Sequence, residues 1–295
     1  MFSRVRRLIS VWIAVGGIVF LGTSHLPAGD ISSTGKHCLW RIANASAPCY
    51  LLGSVHALRP SDYQRTPAIE EAIKQSQQFF FEFDPKQDEA FAKKLADAAK
   101  YPNAGQIREK INPKTYAYLR KITLSGMNDW QHLRPWAVAV LLLQHPGYGE
   151  VSLGYGMDDY VARKARYFSK TTNGLETVDE HLRVLSDMQD IEGEVLLLQS
   201  LVYADQGPKE FQQTVAAWKS GDIERLYATQ LPRIKEAPTV WWRLLDRRNA
   251  KWVPKIEAVI KSGKPTIVVA GTLHFCGPNS VIALLEKRGY KVEQL

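Results

Sequence analysis

The sequence predicts an α/β (α+β) fold: a central mixed sheet built from two strand–GxxH–helix–strand units, with a large helical insertion. Three observations carry this. Short β-branched or aromatic runs bounded by turn residues cluster at the two ends of the chain and near its middle. Helical patterning fills the spans between them. The order strand, Gly-x-x-His, helix, strand occurs twice, once towards each end.

Along the chain, a hairpin is expected first, from 37–42 and 48–52, with 44–47 as its turn. The first unit opens on the strand 49–52, passes through Gly53-Ser54-Val55-His56, and continues with a helix at 67–75 and a strand at 78–83. Pro67 suits a first helical turn, and Ala68, Ala72 and Ile73 share one face. Helices are expected at 89–100, 113–123, 135–144 and 157–167, and a middle strand at 167–171. A long helical region covers 178–203, followed by 208–220 and 239–261. The last of these stops at Gly263, a C-terminal helix signal. The second unit is the strand 266–270, Gly271-Thr272-Leu273-His274, a helix at 279–287 and a short strand from 290. Such crossovers give parallel strands with a right-handed connection. The loop after each first strand then lies at the carboxyl edge of the sheet, where open α/β folds bind ligands. Placed side by side, the units turn His56 and His274 into one crevice.

Composition sets the outer bounds. The chain has 295 residues, 45% hydrophobic and 23% charged, which excludes disorder, collagen and a multispan membrane protein. Three cysteines exclude a disulfide-dense scaffold and a four-cysteine zinc module. The net charge of +8 invites an anionic partner, but part of it belongs to the first 28 residues. Arg4, Arg6 and Arg7 precede an uncharged apolar run at 8–22 and a small-residue exit. This reads as a secretory signal peptide or an uncleaved N-terminal anchor, with a buried helix as the remaining alternative. Without residues 1–28, 35 basic side chains face 30 acidic ones, a balance of +5. That balance is scattered over helical stretches, so no nucleic-acid partner is expected. The localisation expected is extracytoplasmic, periplasmic or secreted, with membrane attachment through residues 8–22 as an option. An oxidising compartment admits a disulfide between Cys38 and Cys49 across the hairpin.

The GxxH pattern is weak alone, with roughly half an occurrence expected by chance in a chain of this composition. Gly22-Thr23-Ser24-His25 also matches, inside the leader exit. The other two gain weight from context, since each leaves a buried-strand run and enters a helix. The glycine permits a tight exit that aims the next backbone and side chain into a crevice. A metal needs convergent nitrogen or oxygen donors. Glu82 is a third candidate because it interrupts the apolar run 79–83, where a carboxylate is costly unless paired or bound. Asp84 reads better as a cap before Pro85. Glu176 stands at a strand-to-helix turn, either in the site or complementing a helix dipole. Arg248 lies with Asn249 on a Trp-rich helix, where it could orient carboxylates or stabilise an oxyanion. His37, His132, His145 and His181 lack a strand-exit setting and read as structural, and Cys276 reads as a packed small residue. No HExxH, GxSxG, Walker A or dinucleotide fingerprint is present.

In combination these features resemble the TraB/GumN family, related in pattern to the TIKI metalloproteases. The carriers are Leu39-Trp40-Arg41-Ile42, Tyr50 to His56, the strand ending in Glu82, Gly156-Met157-Asp158, Gly174-Leu175-Glu176-Thr177, Ala217-Trp218 with Gly221-Asp222, Arg248-Asn249, and Val268 to His274 with Gly289-Tyr290. The resemblance implies one domain over 36–295 and a divalent-metal hydrolase site on His56, Glu82, Glu176 and His274, supported by Asp158, Arg248 and Asn249. Phe275 departs from the small residue or Leu that the family places after the second histidine, which would narrow the pocket or alter metal preference.

The function expected is therefore an exported metal-dependent hydrolase, most simply a peptidase. His56, His274 and Glu82 would hold Mn, Co or Zn, and Glu82, Glu176 and Arg248 would serve catalysis, with the ligand and base roles of the two glutamates left open. The expected partner is a peptide or small-molecule substrate. A non-enzymatic envelope protein binding a peptide, haem or small hydrophobic ligand is the alternative, with a metal-free ester hydrolase a third reading.

Overall fold

Two uncharged runs form the centre of the molecule. A computed structural model describes residues 35–62, 65–123, 130–144, 155–206 and 209–295. The expected leader, including residues 8–22, and His145 lie outside the described residues. Strands β1 (Leu39–Ile42), β2 (Cys49–Ser54), β3 (Gln78–Phe83), β4 (Thr171–Glu176), β5 (Thr266–Gly271) and β6 (Val292–Gln294) make one six-stranded sheet. Its order is β4-β3-β5-β2-β1-β6. β2 is buried at every position and β5 at all but its last, as strands covered on both faces must be. β4, β3, β5 and β2 run parallel, while β1 pairs antiparallel with both β2 and β6.

The two repeated units do sit side by side, because β2 and β5 pair in parallel from Cys49↔Thr266 to Ser54↔Gly271. They also interlock. The first unit crosses through α1 (Pro67–Gln75) to β3, on the far side of β5. The second crosses to β6, beyond β1. Between β3 and β5 the chain forms α2 (Asp88–Ala98), α3 (Pro113–Thr123), α4 (Pro135–Leu141), α5 (Met157–Tyr167), α6 (Val178–Ser186), α7 (Asp190–Gln206), α8 (Lys209–Lys219), α9 (Ile223–Glu236) and α10 (Arg247–Lys261). A short turn, Pro238–Trp241, and a π-helical segment, Trp242–Asp246, lead into α10. α11 (Val281–Glu286) comes after β5. Among the described residues no helix is long and apolar enough to cross a membrane.

Several expectations change. The middle strand is Thr171–Glu176 rather than 167–171, because α5 runs on to Tyr167. The region 178–203 is two helices, α6 and α7, broken between Ser186 and Asp190. Cys38 and Cys49 are free and do not bridge the hairpin. Leu39 opposes Leu52 and Arg41 opposes Tyr50, so Cys38 lies beside Gly53, with Gly53 N donating to Cys38 O at 2.7 Å. Cys49 is at the other end of the pair, beyond disulfide reach.

Candidate functional site

Each of the four parallel strands brings one candidate residue to the same edge. Across the sheet these are Glu176 at the end of β4, Glu82 near the end of β3, His274 in the turn after β5 and His56 just beyond β2. This is the carboxyl edge, where the parallel strands leave a crevice.

The glycines of the two GxxH motifs serve close approach rather than a left-handed turn. A Cβ on Gly53 would stand 2.8 Å from Thr272 Oγ1, so the glycine lets β2 lie against the turn after β5. A Cβ on Gly271 would stand 3.0 Å from His56 Nε2, 3.4 Å from Glu82 Oε1 and 3.7 Å from His274 Cδ2. The missing side chain is therefore the floor of the space on which those three groups converge. His56 Nε2 lies 3.6 Å and His274 Nε2 3.9 Å from Glu82 Oε1.

Both histidines are held from behind. His274 Nδ1 meets Asn249 Oδ1 at 2.6 Å, and Asn249 Nδ2 donates to Asn279 O at 2.9 Å, which fixes the amide. The Asn249 oxygen requires a donor, so the proton sits on His274 Nδ1 and the Nε2 lone pair faces the crevice. That lone pair accepts from Arg248 at 3.2 Å. Burial and then Arg248 lower the His274 pKa to about 3, keeping the ring neutral. His56 Nδ1 meets Asp158 Oδ2 at 3.2 Å, leaving its Nε2 towards Glu82. Enclosure opposes protonation of His56, but Asp158 and then Glu82 outweigh it and raise the pKa to about 9. Half of the His56 side chain is open to solvent, against 4% for His274.

Asp158 is placed by α5. Gly156 has no room for a Cβ, which would stand 2.6 Å from His56 O. Met157 N donates to Val55 O at 3.2 Å, so the start of α5 docks along the His56 loop. Ser54 Oγ donates to Asp158 Oδ1 and accepts from Asp158 N.

Arg248 binds the rest together. Its Nε and Nη2 donate to the two oxygens of Glu176 at 2.9 and 3.0 Å, and Nη2 also donates to Glu82 Oε2. Nη1 donates to Leu244 O and faces His274 Nε2. The guanidinium lies 4.6 Å over the Trp252 ring, and that ring stacks on His274 at 4.3 Å. Burial works against the charge on Arg248, but Glu82 and Glu176 raise its pKa further. Burial likewise pushes both glutamates up. Arg248 and the histidines overcome it, holding Glu82 well below the carboxylate range and Glu176 at about 2. With all five N–H groups engaged, Arg248 is a clamp between carboxylates rather than a free oxyanion donor.

His181 and Ser54 had no site role in the sequence reading, and Trp252 stood there only as part of a Trp-rich helix. His181, expected to be structural, places Nδ1 3.0 Å from Glu176 Oε2. Thr177 begins α6 with a capping box closed by Glu180, and His181 lies one position further along that first turn. That sharp entry, five residues after a candidate acid, was the available signal. Trp252 donates to Glu176 Oε1 at 2.9 Å, and Ser54 holds Asp158. Phe275 turns its ring to Trp40 at 5.4 Å and is buried there. Asp84 caps the turn before α2, accepting from Lys86 N at 3.1 Å. Among the described residues no three His, Cys, Asp or Glu side chains stand in finished metal-ligand geometry.

The motifs on these strands match the TraB/PrgY/gumN family over residues 38–294. The chain belongs to that family. This TraB/PrgY/gumN protein is 22% identical over 278 residues to a protein described as uncharacterized from Treponema pallidum (strain Nichols), covering 88% of this chain and 83% of the relative. It is 21% identical over 324 residues to Metalloprotease TIKI1 of Danio rerio, covering 92% of this chain and 64% of that protein. No solved structure matches it.

Proposed function

We propose that this TraB/PrgY/gumN protein is a metal-dependent hydrolase of peptide bonds, with His56, Glu82 and His274 as the metal-holding side chains. The observation that carries the reading is the convergence of His56 Nε2, Glu82 Oε1 and His274 Nε2 over Gly271, with Asp158 and Asn249 behind the two rings. A second ring nitrogen held by a carboxylate or carbonyl is what orients a histidine for a metal. With His56 giving up its proton and His274 Nε2 exchanging the Arg248 N–H for the ion, two imidazoles and one carboxylate would suit Zn, Co or Mn. The ion would supply Lewis acidity and a water made acidic enough to attack near neutral pH. The likeness to Metalloprotease TIKI1 supports the peptidase class.

The protein's own groups divide the remaining work. Glu176 has both oxygens taken by Arg248, His181 and Trp252, so it is a positioning residue that keeps Arg248 in place. Arg248 in turn fixes Glu82 through one oxygen, leaving Oε1 facing the histidines, where it also accepts from Gly271 N at 2.8 Å. His56, the most open of the four, lies where substrate would enter. The same reading places the protein outside the cytoplasm, on the strength of the basic and apolar segments within residues 1–28.

The test is metal analysis of the purified protein beside His56→Ala and His274→Ala, with a peptide-hydrolysis assay on each. Joint loss of metal and hydrolysis in both variants is expected. Tight binding of a peptide, haem or small apolar ligand by a metal-free protein without turnover would overturn the reading in favour of an envelope binding protein.

A further inference from the structure

Three buried cysteines take no part in the crevice, and all stand as free thiols. Two of them share a neighbourhood. Cys38 precedes β1 on the face that carries Trp40 two residues on, and the Trp40 ring meets Phe275, the residue before Cys276, at 5.4 Å. The point where a Gly53 Cβ would stand is 3.1 Å from Cys38 Cβ and 2.8 Å from Thr272 Oγ1. Cys276 Sγ donates to Thr272 O at 3.3 Å. Both cysteines also lie against the corner between α8 and α9. Cys38 Sγ donates to Trp218 O at 3.5 Å, and Gly277, next to Cys276, packs directly on the Tyr227 ring. Burial, then Cys276 and Asp222, hold the Cys38 thiol well above the ordinary cysteine range. Burial, then Glu224, push Cys276 up to about 12. Cys49 is apart, displaced along the hairpin by the β1–β2 register.

We propose that Cys38 and Cys276 form a disulfide that ties the start of β1 to the turn carrying His274. The two thiols lose two protons and two electrons to a disulfide oxidant, either a small molecule or a thiol oxidoreductase, which is released as two thiols. Both thiols are closed off from solvent, at 3% and 5% exposure, so an oxidant reaches them only during folding, before the core closes. Once made, it closes a loop of nearly the whole described chain, the case in which a cross-link restricts the unfolded state most.

Arg41 and Arg65 place the three cysteines on separate tryptic peptides. The experiment takes the full chain as purified, and the same protein refolded in an oxidising glutathione buffer. Each sample is alkylated in denaturant without reductant, digested and mapped. The expected result in the refolded sample is a linked pair carrying Cys38 and Cys276, a mass two hydrogens lower than the free peptides, and Cys49 alkylated. Reductant should lower its melting temperature by ~10 °C. The shift should persist in Cys49→Ala and vanish in Cys276→Ala. Three alkylated cysteines in the refolded sample, or a link involving Cys49, would overturn the proposal, and this readout stands even if Cys276→Ala does not fold.

Discussion

Arg248 holds two carboxylates and a histidine in place at once, and removing it strands them. Arg248→Met should destabilise the protein by about 3–5 kcal/mol in urea unfolding, because Glu82 and Glu176 stay buried without their cation. Arg248→Lys should recover only part of this, since an ammonium cannot span both glutamates. The histidines give a pH signature. The His274 pKa is lowered to about 3, so its contribution is full above the unfolded value near 6.5 and is lost as pH falls towards 3. His37, lowered by burial, acts in the same direction. The glutamates, also lowered, lose their contribution only below the usual carboxylate range. His274 should thus contribute a loss on the order of 1 kcal/mol per pH unit between pH 6.5 and 4.5 in the metal-free protein, read as the difference between wild type and His274→Gln, because the raised Asp88 and Asp159 act in the opposite direction over that window. His56 runs the other way. Its pKa is raised to about 9, so its contribution is present below 6.5 and lost as pH rises through 9. Asp158→Asn should bring its titration, followed by NMR, back towards 6.5. The sequence made His56, His274 and Glu82 legible through strand exits and a broken apolar run. It did not reveal His181, because a histidine in a first helical turn looks the same whether its ring meets solvent or a buried carboxylate.

At the scale of elements, the site depends on closeness bought by absent side chains. Gly271 has an ordinary φ of −51°, so Ala fits the backbone but intrudes between His56 and Glu82. Gly271→Ala should reduce metal affinity by about tenfold or more, measured by competition with a chelator, at little cost in stability. The start of α2 shows the opposite tension. An acid in a first turn normally gains from the helix dipole, yet burial and then Asp159 raise the Asp88 pKa to about 8, and its Oδ1 has no hydrogen-bond partner. A raised carboxyl favours the fold only while protonated, so the contribution is lost as pH rises from about 4 through 8. Asp88→Asn should gain about 2 kcal/mol at pH 9 and almost nothing at pH 4, read from urea midpoints. The proline-led helices α1 and α3 were legible to the residue, and so was α5, which opens on Gly156 without a side-chain cap. β4 was not, because Asn173 and Gly174 read as a turn, which an edge strand tolerates. α9 carries Pro232 in its interior, which masks a helix from a reading by local pattern.

For the whole molecule, local pattern gave the two units and the edge on which their histidines meet, but not their interlocking. Which strand lies beside which is decided by packing between distant segments, and nothing within either unit records that β5 comes between β3 and β2. That placement has a consequence for how the protein is made. The strand at the heart of the sheet is synthesised after β1 to β4 and the helices between them. Until Thr266–Gly271 emerges, β2 and β3 have no common neighbour, and two apolar edges wait open in the nascent polypeptide. A chain ending at Lys261 should accordingly show no cooperative unfolding transition, however complete its helices.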